Sequence, residues 1–301
     1  MEYVEKLVVT GYSQNKYILF LLELTDDGNY ECRKVLPFTN MEKIAVHSIL
    51  NAENAIYLAD SHNNKIYKYD LCLNEFNETT VGRDPRHMCI NNGNIYVTNF
   101  ESDNISIVDN NSFILAGSIP AGIKPHDIKQ SKKDNMLYIS CYEENQIIEY
   151  DLSSCNSRYI NTDGKPMHIY VDENKIIAMT YFVNGNIYSK INILNIDTEK
   201  IEDVIKIKGL ASDIEYDIRN NFVYVINIED KSLYVIDTKK RNIIKKIYLG
   251  GYPESLSCGA EYIYITNSKK KQITIIDIAT LSIYKNIDLG FTPDCIKVLN
   301  N

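Results

Sequence analysis

A short β-rich unit recurs along this chain with a period close to 40 residues. Its clearest copy runs from Ile95 to Asn99 and, after a polar loop, from Ile105 to Asp109. Successive copies close on an aspartate, a residue that typically satisfies the amides of a turn, and these aspartates are 39, 42, 46, 40 and 40 residues apart. They are Asp70, Asp109, Asp151, Asp197, Asp237 and Asp277. A degenerate copy over residues 7–25 opens the chain and makes seven repeats. A period near 40 residues built from short strands is the signature of a β-propeller.

Each repeat contains four strand signals, which are runs rich in Ile, Val and Tyr bounded by Asn, Asp and Gly. The sequence therefore predicts an all-β, seven-bladed β-propeller with four antiparallel strands per blade, in one domain over residues 1–301. The strand that opens a blade follows a Gly-x-x-Pro pattern, whose last copy covers residues 291–299. The first 40 residues hold three strand signals and lack an opening strand. We expect residues 291–299 to complete blade 1 with residues 1–40, which closes the ring, and blades 2–7 to span about 41–290.

Charge and cysteine content indicate which partners and compartment to expect. Lys and Arg total 32 against 40 Asp and Glu, a formal net charge of −8. An acidic chain without a basic stripe favours neither nucleic acid nor an anionic membrane as a partner. No apolar run approaches the roughly 20 residues that span a bilayer, and the N-terminus lacks a signal-peptide pattern. Seven irregularly spaced cysteines favour free thiols. We expect a cytoplasmic monomer.

Residues of equal rank in the repeats should surround the mouth of the central channel. The position two residues after the opening proline, or its equivalent, is polar in every repeat. It is occupied by His47, His87, Asp127, His168, Asp213, Ser255 and Cys295. His62 and His126 belong to loops of the same face, so all five histidines are predicted at one end of the molecule. A histidine close to Cys295 would lower the pKa of its thiol.

A second column supplies aromatic side chains to the same mouth. The residue after the core strand of blades three, four and five is Phe100, Tyr142 and Tyr181. The fifth blade also has the longest loop on this face, residues 182–190, and Arg86 borders the same side. Convergent polar groups among aromatic walls are typical of a ligand pocket. The predicted ligand-binding residues are His47, His87, Asp127, His168, Arg86, Phe100, Tyr142 and Tyr181.

Three hypotheses explain the histidine column. Its side chains could hydrogen-bond the backbone of the neighbouring blade and join the blades together. They could bind a small molecule or a peptide segment of a protein partner. They could instead hold a divalent transition metal, the cofactor expected in that case, because neutral imidazole suits such metals. The predicted metal ligands are His47, His87, His168 and Asp127.

The core strands Tyr96–Asn99 and Tyr264–Asn267 have the sequences YVTN and YITN. With the Gly-x-x-Pro openings, they resemble the YVTN family of seven-bladed propellers over essentially the full chain. That resemblance implies the propeller fold, which hosts many unrelated functions. The fragment 84–88 is similar to a segment of 6-phosphogluconolactonase propellers, and the Pro-x-x-Ile pattern is similar to that of streptogramin-inactivating lyases.

The sequence thus predicts a non-catalytic propeller that binds a small ligand or a protein segment at the histidine- and aromatic-lined mouth. The alternative is a metal-dependent hydrolase or lyase with its site at the same mouth. In that alternative the catalytic candidates are His87, His126, His168 and Arg86. The histidines would hold the metal, Arg86 would anchor an anionic group and His126 would transfer a proton.

Overall fold

The computed structural model describes residues 3–14, 16–25, 30–37, 43–52, 54–131, 135–184 and 186–299. These residues form seven sheets of four strands each. The fold class is therefore the predicted all-β, seven-bladed β-propeller. Helical structure in the described ranges is limited to one turn of 3₁₀ helix, Tyr142–Glu144. Over the same ranges, the structure contains no helix with the length and apolar character needed to cross a membrane.

The strand bounds follow the repeats. The first sheet has the order β28-β1-β2-β3 and comprises β28 (Thr292–Leu299), β1 (Tyr3–Ser13), β2 (Lys16–Thr25) and β3 (Tyr30–Pro37). The second comprises β4 (Val46–Ala52), β5 (Ala55–Asp60), β6 (Lys65–Asp70) and β7 (Glu75–Thr80). The third comprises β8 (Pro85–Asn91), β9 (Asn94–Asn99), β10 (Asn104–Asp109) and β11 (Ile114–Pro120). The fourth comprises β12 (Pro125–Gln130), β13 (Met136–Cys141), β14 (Gln146–Asp151) and β15 (Ser157–Asn161).

In the last three sheets the strands also lie side by side in the order in which they occur in the sequence. The fifth comprises β16 (Lys165–Asp172), β17 (Lys175–Asn184), β18 (Asn186–Asn195) and β19 (Lys200–Lys208). The sixth comprises β20 (Ala211–Asp217), β21 (Phe222–Asn227), β22 (Ser232–Asp237) and β23 (Asn242–Tyr248). The seventh comprises β24 (Pro253–Cys258), β25 (Tyr262–Asn267), β26 (Gln272–Asp277) and β27 (Ser282–Asp288).

The first sheet combines strands from opposite ends of the sequence. Strand β28 pairs antiparallel with β1, with Leu7 opposite Val298 and Val9 opposite Ile296. Beside this pairing the ring of Phe20 stacks on that of Phe291, with centroids 3.7 Å apart. The predicted completion of blade 1 by the C-terminal strand is confirmed.

The apolar strands are buried on both faces. Strands β5 and β22 are buried at every position. The tyrosine at the second position of the core strand is closed off from solvent in several repeats, and Tyr57, Tyr224 and Tyr264 are each at most 1% exposed. Strands covered on both sides are continuously apolar rather than alternating, which explains the Ile-, Val- and Tyr-rich runs of the sequence.

Close contacts along the chain define two compact units. The first unit consists of residues 1–51 and 211–301, and the second consists of residues 52–210. The second unit contains three complete sheets, β8–β11, β12–β15 and β16–β19. The single domain over residues 1–301 stays a prediction.

Five of the six repeat aspartates act as turn residues, as predicted. The prediction was wrong for Asp197, because in that repeat the turn N–H of Thr198 bonds Oδ1 of Asn195 at 3.0 Å. The Oδ1 of Asp109 accepts hydrogen bonds from the backbone N–H and the hydroxyl of Ser112, both at 2.7 Å. These hydrogen bonds hold the pKa of Asp109 below its usual value, and turn hydrogen bonds do the same for Asp151, Asp237 and Asp277.

Candidate functional site

The candidate site lies in the second unit, on the opening strands of three successive sheets. Strand β8 carries His87, strand β12 carries His126 and Asp127, and strand β16 carries His168. In each strand the pairing register shifts just after the opening proline, between Pro85 and Met88 in β8 and at the same rank in β12 and β16. A bulge of this kind redirects the side chains it contains, and such bulges are common beside functional sites.

Three of the four imidazoles of this unit, those of His87, His126 and His168, are in mutual contact. The ring centroid of His87 lies 5.1 Å from that of His126 and 5.0 Å from that of His168. His126 and His168 are also 5.0 Å apart, and the plane of His168 is nearly perpendicular to the other two. His126 is 1% exposed and His168 is 9% exposed. We call these three residues together with Asp127 the histidine cluster.

Asp127 lies beside two of the imidazoles. Its Oδ1 is 3.6 Å from Nδ1 of His87, and its Oδ2 is 4.0 Å from Nδ1 of His168. Both separations exceed a hydrogen bond. Oδ1 instead accepts from the backbone N–H of Ile128 and from the ammonium of Lys129, both at 2.8 Å. Oδ2 accepts from the backbone N–H of Ile169 at 2.9 Å.

The bond to Ile169 joins two sheets, because Asp127 belongs to β12 and Ile169 to β16. The first unit repeats the arrangement, where Asp213 on β20 accepts from the N–H of Leu256 on β24 at 2.9 Å. The hypothesis that this column bonds the backbone of the next blade is therefore confirmed at both aspartates. At His87 the equivalent backbone donor is the N–H of Ile128, and that group already bonds Asp127.

His87 is held in its neutral form. Burial lowers its pKa well below the usual value of a histidine, and the neighbouring imidazoles of His168 and His126 lower it further, followed by the cations Lys129 and Arg86. A neutral imidazole has a nitrogen lone pair available, which is the form that ligates transition metals.

Three of the four side chains can approach a common ion. One ligand atom each from His87, Asp127 and His168 lies within 4.8 Å of the other two. Ligand atoms on one tetrahedral zinc are about 3.3–3.6 Å apart, given bond lengths of about 2.0–2.2 Å. Rotamer adjustments of about an ångström would therefore bring these atoms into coordination. Of the four predicted metal ligands, the fourth, His47, lies half-buried on β4 in the first unit.

The predicted aromatic residues line the same end of the second unit. Phe100 presents its edge to His126 with centroids 6.0 Å apart and lies 6.0 Å from Tyr142. The guanidinium of Arg86 and the ammonium of Lys124 lie over the ring of Phe100, at 4.8 and 5.0 Å from its centroid. Arg86 also forms an ion pair of 2.5 Å with Asp84. Arg86 therefore borders the histidine cluster, but its charge already has a partner.

Tyr181 lies within the long hairpin formed by β17 and β18 rather than next to a loop. It lies opposite Lys165 in the pairing of β16 with β17 and is half-buried. Of residues 182–190, predicted as a long loop, 182–184 continue strand β17 and 186–190 continue strand β18. Phe182 packs on Tyr188 with centroids 5.2 Å apart. The prediction of a loop was wrong because cross-strand aromatic pairing extends the ladder. The Asn184-Gly185 dipeptide, which is typical of a tight hairpin turn, was the signal for it.

Two further expectations concern residues outside the cluster. His62 is exposed in the turn after β5, where its backbone N–H bonds Oδ1 of Asp60 at 3.1 Å. Cys295 was expected to have a lowered pKa, and this was wrong. Burial raises the pKa of the Cys295 thiol, and the nearby carboxylates of Asp294 and Asp213 raise it further. All seven cysteines have free thiols.

Sequence reasoning missed Lys129. Its ammonium reaches the carboxylate of Asp127 and lies 5.4 Å from the centre of the Tyr170 ring. Residues two apart on a strand share a face, so the position of Lys129 relative to Asp127 was the available signal.

Comparison with known proteins identifies the fold class. A hydrazine synthase structure from Kuenenia stuttgartiensis is similar with a TM-score of 0.74 and 16% identity, covering 86% of this chain and 92% of that one. A proposed 6-phosphogluconolactonase from Bacteroides fragilis gives a TM-score of 0.73 at 12% identity, with 98% of both chains covered. AztD from Citrobacter koseri gives 0.66 at 12% identity, again covering 98% of both chains.

These structures define the class of this chain as a seven-bladed β-propeller. At such low identities the similarity concerns the fold alone, since propellers of one architecture carry unrelated functions. No family model matches the sequence. No curated protein matches it either. The resemblance to the YVTN family is accordingly supported at the level of the propeller fold.

Proposed function

We propose that this protein is a non-catalytic binding propeller and that its histidine cluster binds a divalent transition-metal ion. The observation that carries the proposal is the contact of three imidazoles, those of His126 and His168 buried and that of His87 half-buried, beside one buried carboxylate. Ligand atoms of His87, Asp127 and His168 lie within 4.8 Å of one another. His126 packs against both of the other imidazoles, with ring centroids 5.1 and 5.0 Å away.

The division of roles within the column supports a ligand-binding role for the imidazoles. The joining of β12 to β16 is performed by Asp127, so the histidines are not required for that bond. The low pKa of His87 supports this role, because protons compete less for its nitrogens.

The chemistry of the donor set selects the class of metal. Imidazole nitrogen suits zinc, copper, iron and nickel, whereas calcium and magnesium prefer sites made of oxygen ligands. The proposed ion is therefore a transition metal. A hydrolase or lyase would need the same ion with an open coordination position, so metal binding is the step that both hypotheses share. The free thiols fit the proposed cytoplasmic location, and a monomer remains part of the proposal.

A cobalt titration tests the proposal, because the visible absorption of Co²⁺ reports binding and geometry directly. Protein treated with EDTA and dialysed should bind about one Co²⁺ per chain, and added Zn²⁺ should displace it. His87→Ala and His168→Ala should each weaken binding at least tenfold. His62→Ala is the matched control, since this exposed histidine lies outside the cluster, and it should bind like the parent.

Equal Co²⁺ affinity in all four proteins would refute the assignment of the metal to the cluster. Loss of binding accompanied by loss of the far-UV circular dichroism spectrum would report unfolding instead. His87→Gln, which keeps a polar side chain of similar length, then replaces His87→Ala in the same titration.

A further inference from the structure

Lys129 places a positive charge inside the histidine cluster. Its ammonium bonds Oδ1 of Asp127 at 2.8 Å, while the side chain is only 30% exposed. The same charge is among the influences that lower the pKa of His87. The ammonium of Lys129 therefore lies beside the buried carboxylate that a metal ion in the cluster would use as a ligand.

The hydrogen bonds by which Asp127 joins two sheets do not require Lys129. In the first unit Asp213 makes the same two backbone bonds, to Ile214 and Leu256, both at 2.9 Å. Two residues further along that strand stands Glu215, where the second unit has Lys129. An aspartate at this rank thus joins two sheets without a lysine two residues further along its own strand. The lysine near Asp213 is Lys297 of β28, and it pairs with Glu215.

Lys129 also fills the acceptor capacity of one carboxylate oxygen. A carboxylate oxygen has two lone pairs, and Oδ1 of Asp127 accepts from both Ile128 and Lys129. Oδ2 accepts from Ile169. A metal that takes Oδ1 as a ligand must therefore displace the ammonium, since the backbone donor is fixed by the strand.

We propose that Lys129 is a built-in counter-cation that occupies the carboxylate in the metal-free protein and is displaced when the ion binds. This inference rests on the proposed metal-binding function. The exchange of a monovalent for a divalent cation keeps Asp127 compensated in both states. Because the ion must displace Lys129, the net affinity for the metal is lower than it would be without this lysine, and the ion binds reversibly. A divalent ion is favoured over a monovalent one.

Lys129→Met is the decisive variant, because it keeps the length of the side chain and removes its charge. Removing a cation within a few ångströms of the ion should tighten Co²⁺ binding at least tenfold. Lys129→Arg, which restores the charge, should return the affinity to that of the parent. Lys297→Met is the matched control, since Lys297 has the same rank in β28 and pairs with Glu215 at 2.8 Å in the first unit. It should leave Co²⁺ binding unchanged.

The outcomes separate this inference from the proposed function. If the parent binds Co²⁺ and Lys129→Met binds equally or more weakly, the counter-cation role is wrong and the metal site stands. If no protein in the series binds Co²⁺, the proposed function itself fails, and this inference with it. Binding detected only in Lys129→Met would mean that Lys129 blocks the ion in the parent, which overturns both the displacement and the proposed function of the parent.

A second measurement uses the parent protein and covers a Lys129→Met variant that fails to fold. Acetylation of Lys129 by a water-soluble acylating reagent, followed by peptide mass spectrometry, should proceed at least threefold faster with Co²⁺ than without it. The acetylation rate of exposed Lys200 provides the internal reference. A rate at Lys129 that stays constant or falls on metal addition overturns the displacement.

Discussion

Removal of the Asp127 carboxylate should destabilise the protein much more than the size of the side chain suggests. Asp127 is 1% exposed and bonds the N–H of Ile128 at 2.8 Å and the N–H of Ile169 at 2.9 Å. Hydrogen bonds to a charged group contribute about 1.5–3 kcal/mol each. The desolvation cost of the carboxylate offsets part of that sum, so we expect Asp127→Ala to lower the free energy of unfolding by about 3–4 kcal/mol.

Two variants provide the comparison. Asp127→Asn keeps one carbonyl acceptor and should lose about half as much stability as Asp127→Ala. Asp213→Ala removes the two backbone bonds of the first unit and should cost a similar amount to Asp127→Ala. The chain has no tryptophan, so far-UV circular dichroism in urea is the appropriate assay.

The size of the stability loss expected for Asp127→Ala can be tested by thermal unfolding. At about 2 °C per kcal/mol for a protein larger than 150 residues, the Asp127→Ala loss corresponds to a drop of roughly 6–8 °C in Tm. A loss below about 1 kcal/mol would mean that the bond between β12 and β16 contributes little to stability. The hydrogen bond between Asp127 and Ile169 would then be present without stabilising the fold, and the burial of Asp127 would need another explanation.

Three further predictions follow from other parts of the chain. Deleting residues 292–299 leaves an edge of β1 unpaired, so the variant should aggregate on expression; a soluble variant with the parent Tm would contradict the pairing. The pKa values of Asp109 and Asp151 are lowered in the folded protein, so their stabilising effect is complete above the unfolded value of about 3.9 and is lost as pH falls through the folded value. The Tm should therefore fall from pH 5 towards pH 2, and less steeply in Asp109→Ala/Asp151→Ala. Exposed Cys72 should react with a thiol reagent at pH 8 far faster than Cys295, whose pKa is raised by burial, and equal rates would contradict that burial.

The repeat period was sufficient to predict the fold because strand pairing within a propeller blade is local in sequence. The spacing of the closing aspartates predicts seven sheets, and the unpaired opening strand at 291–299 predicts its pairing with β1. The same logic of equal rank brought His87, Asp127 and His168 together. His126 precedes the rank position of its repeat, Asp127, by one residue. It contacts the other histidines because the register shift of β12 redirects the side chains there.

The details of the site depended on side-chain packing, which the sequence pattern does not encode. Lys129 and Lys297 occupy the same rank, yet one pairs with Asp127 and the other with Glu215. The choice between these carboxylates depends on rotamers and on the neighbouring sheet. The pKa of Cys295 was misjudged for a related reason, since proximity to charge was considered and the cost of burial was not.

The composition of the first sheet sets an order of events during synthesis. Strands β1, β2 and β3 leave the ribosome before their partner β28, which follows only after residues 38–291 have been made. At about 5–20 residues per second, that interval lasts roughly 13–50 s. Throughout this time the nascent chain carries an unpaired edge on β1. An unpaired strand edge can pair with other chains, so this interval is the period in which the nascent chain is exposed to aggregation.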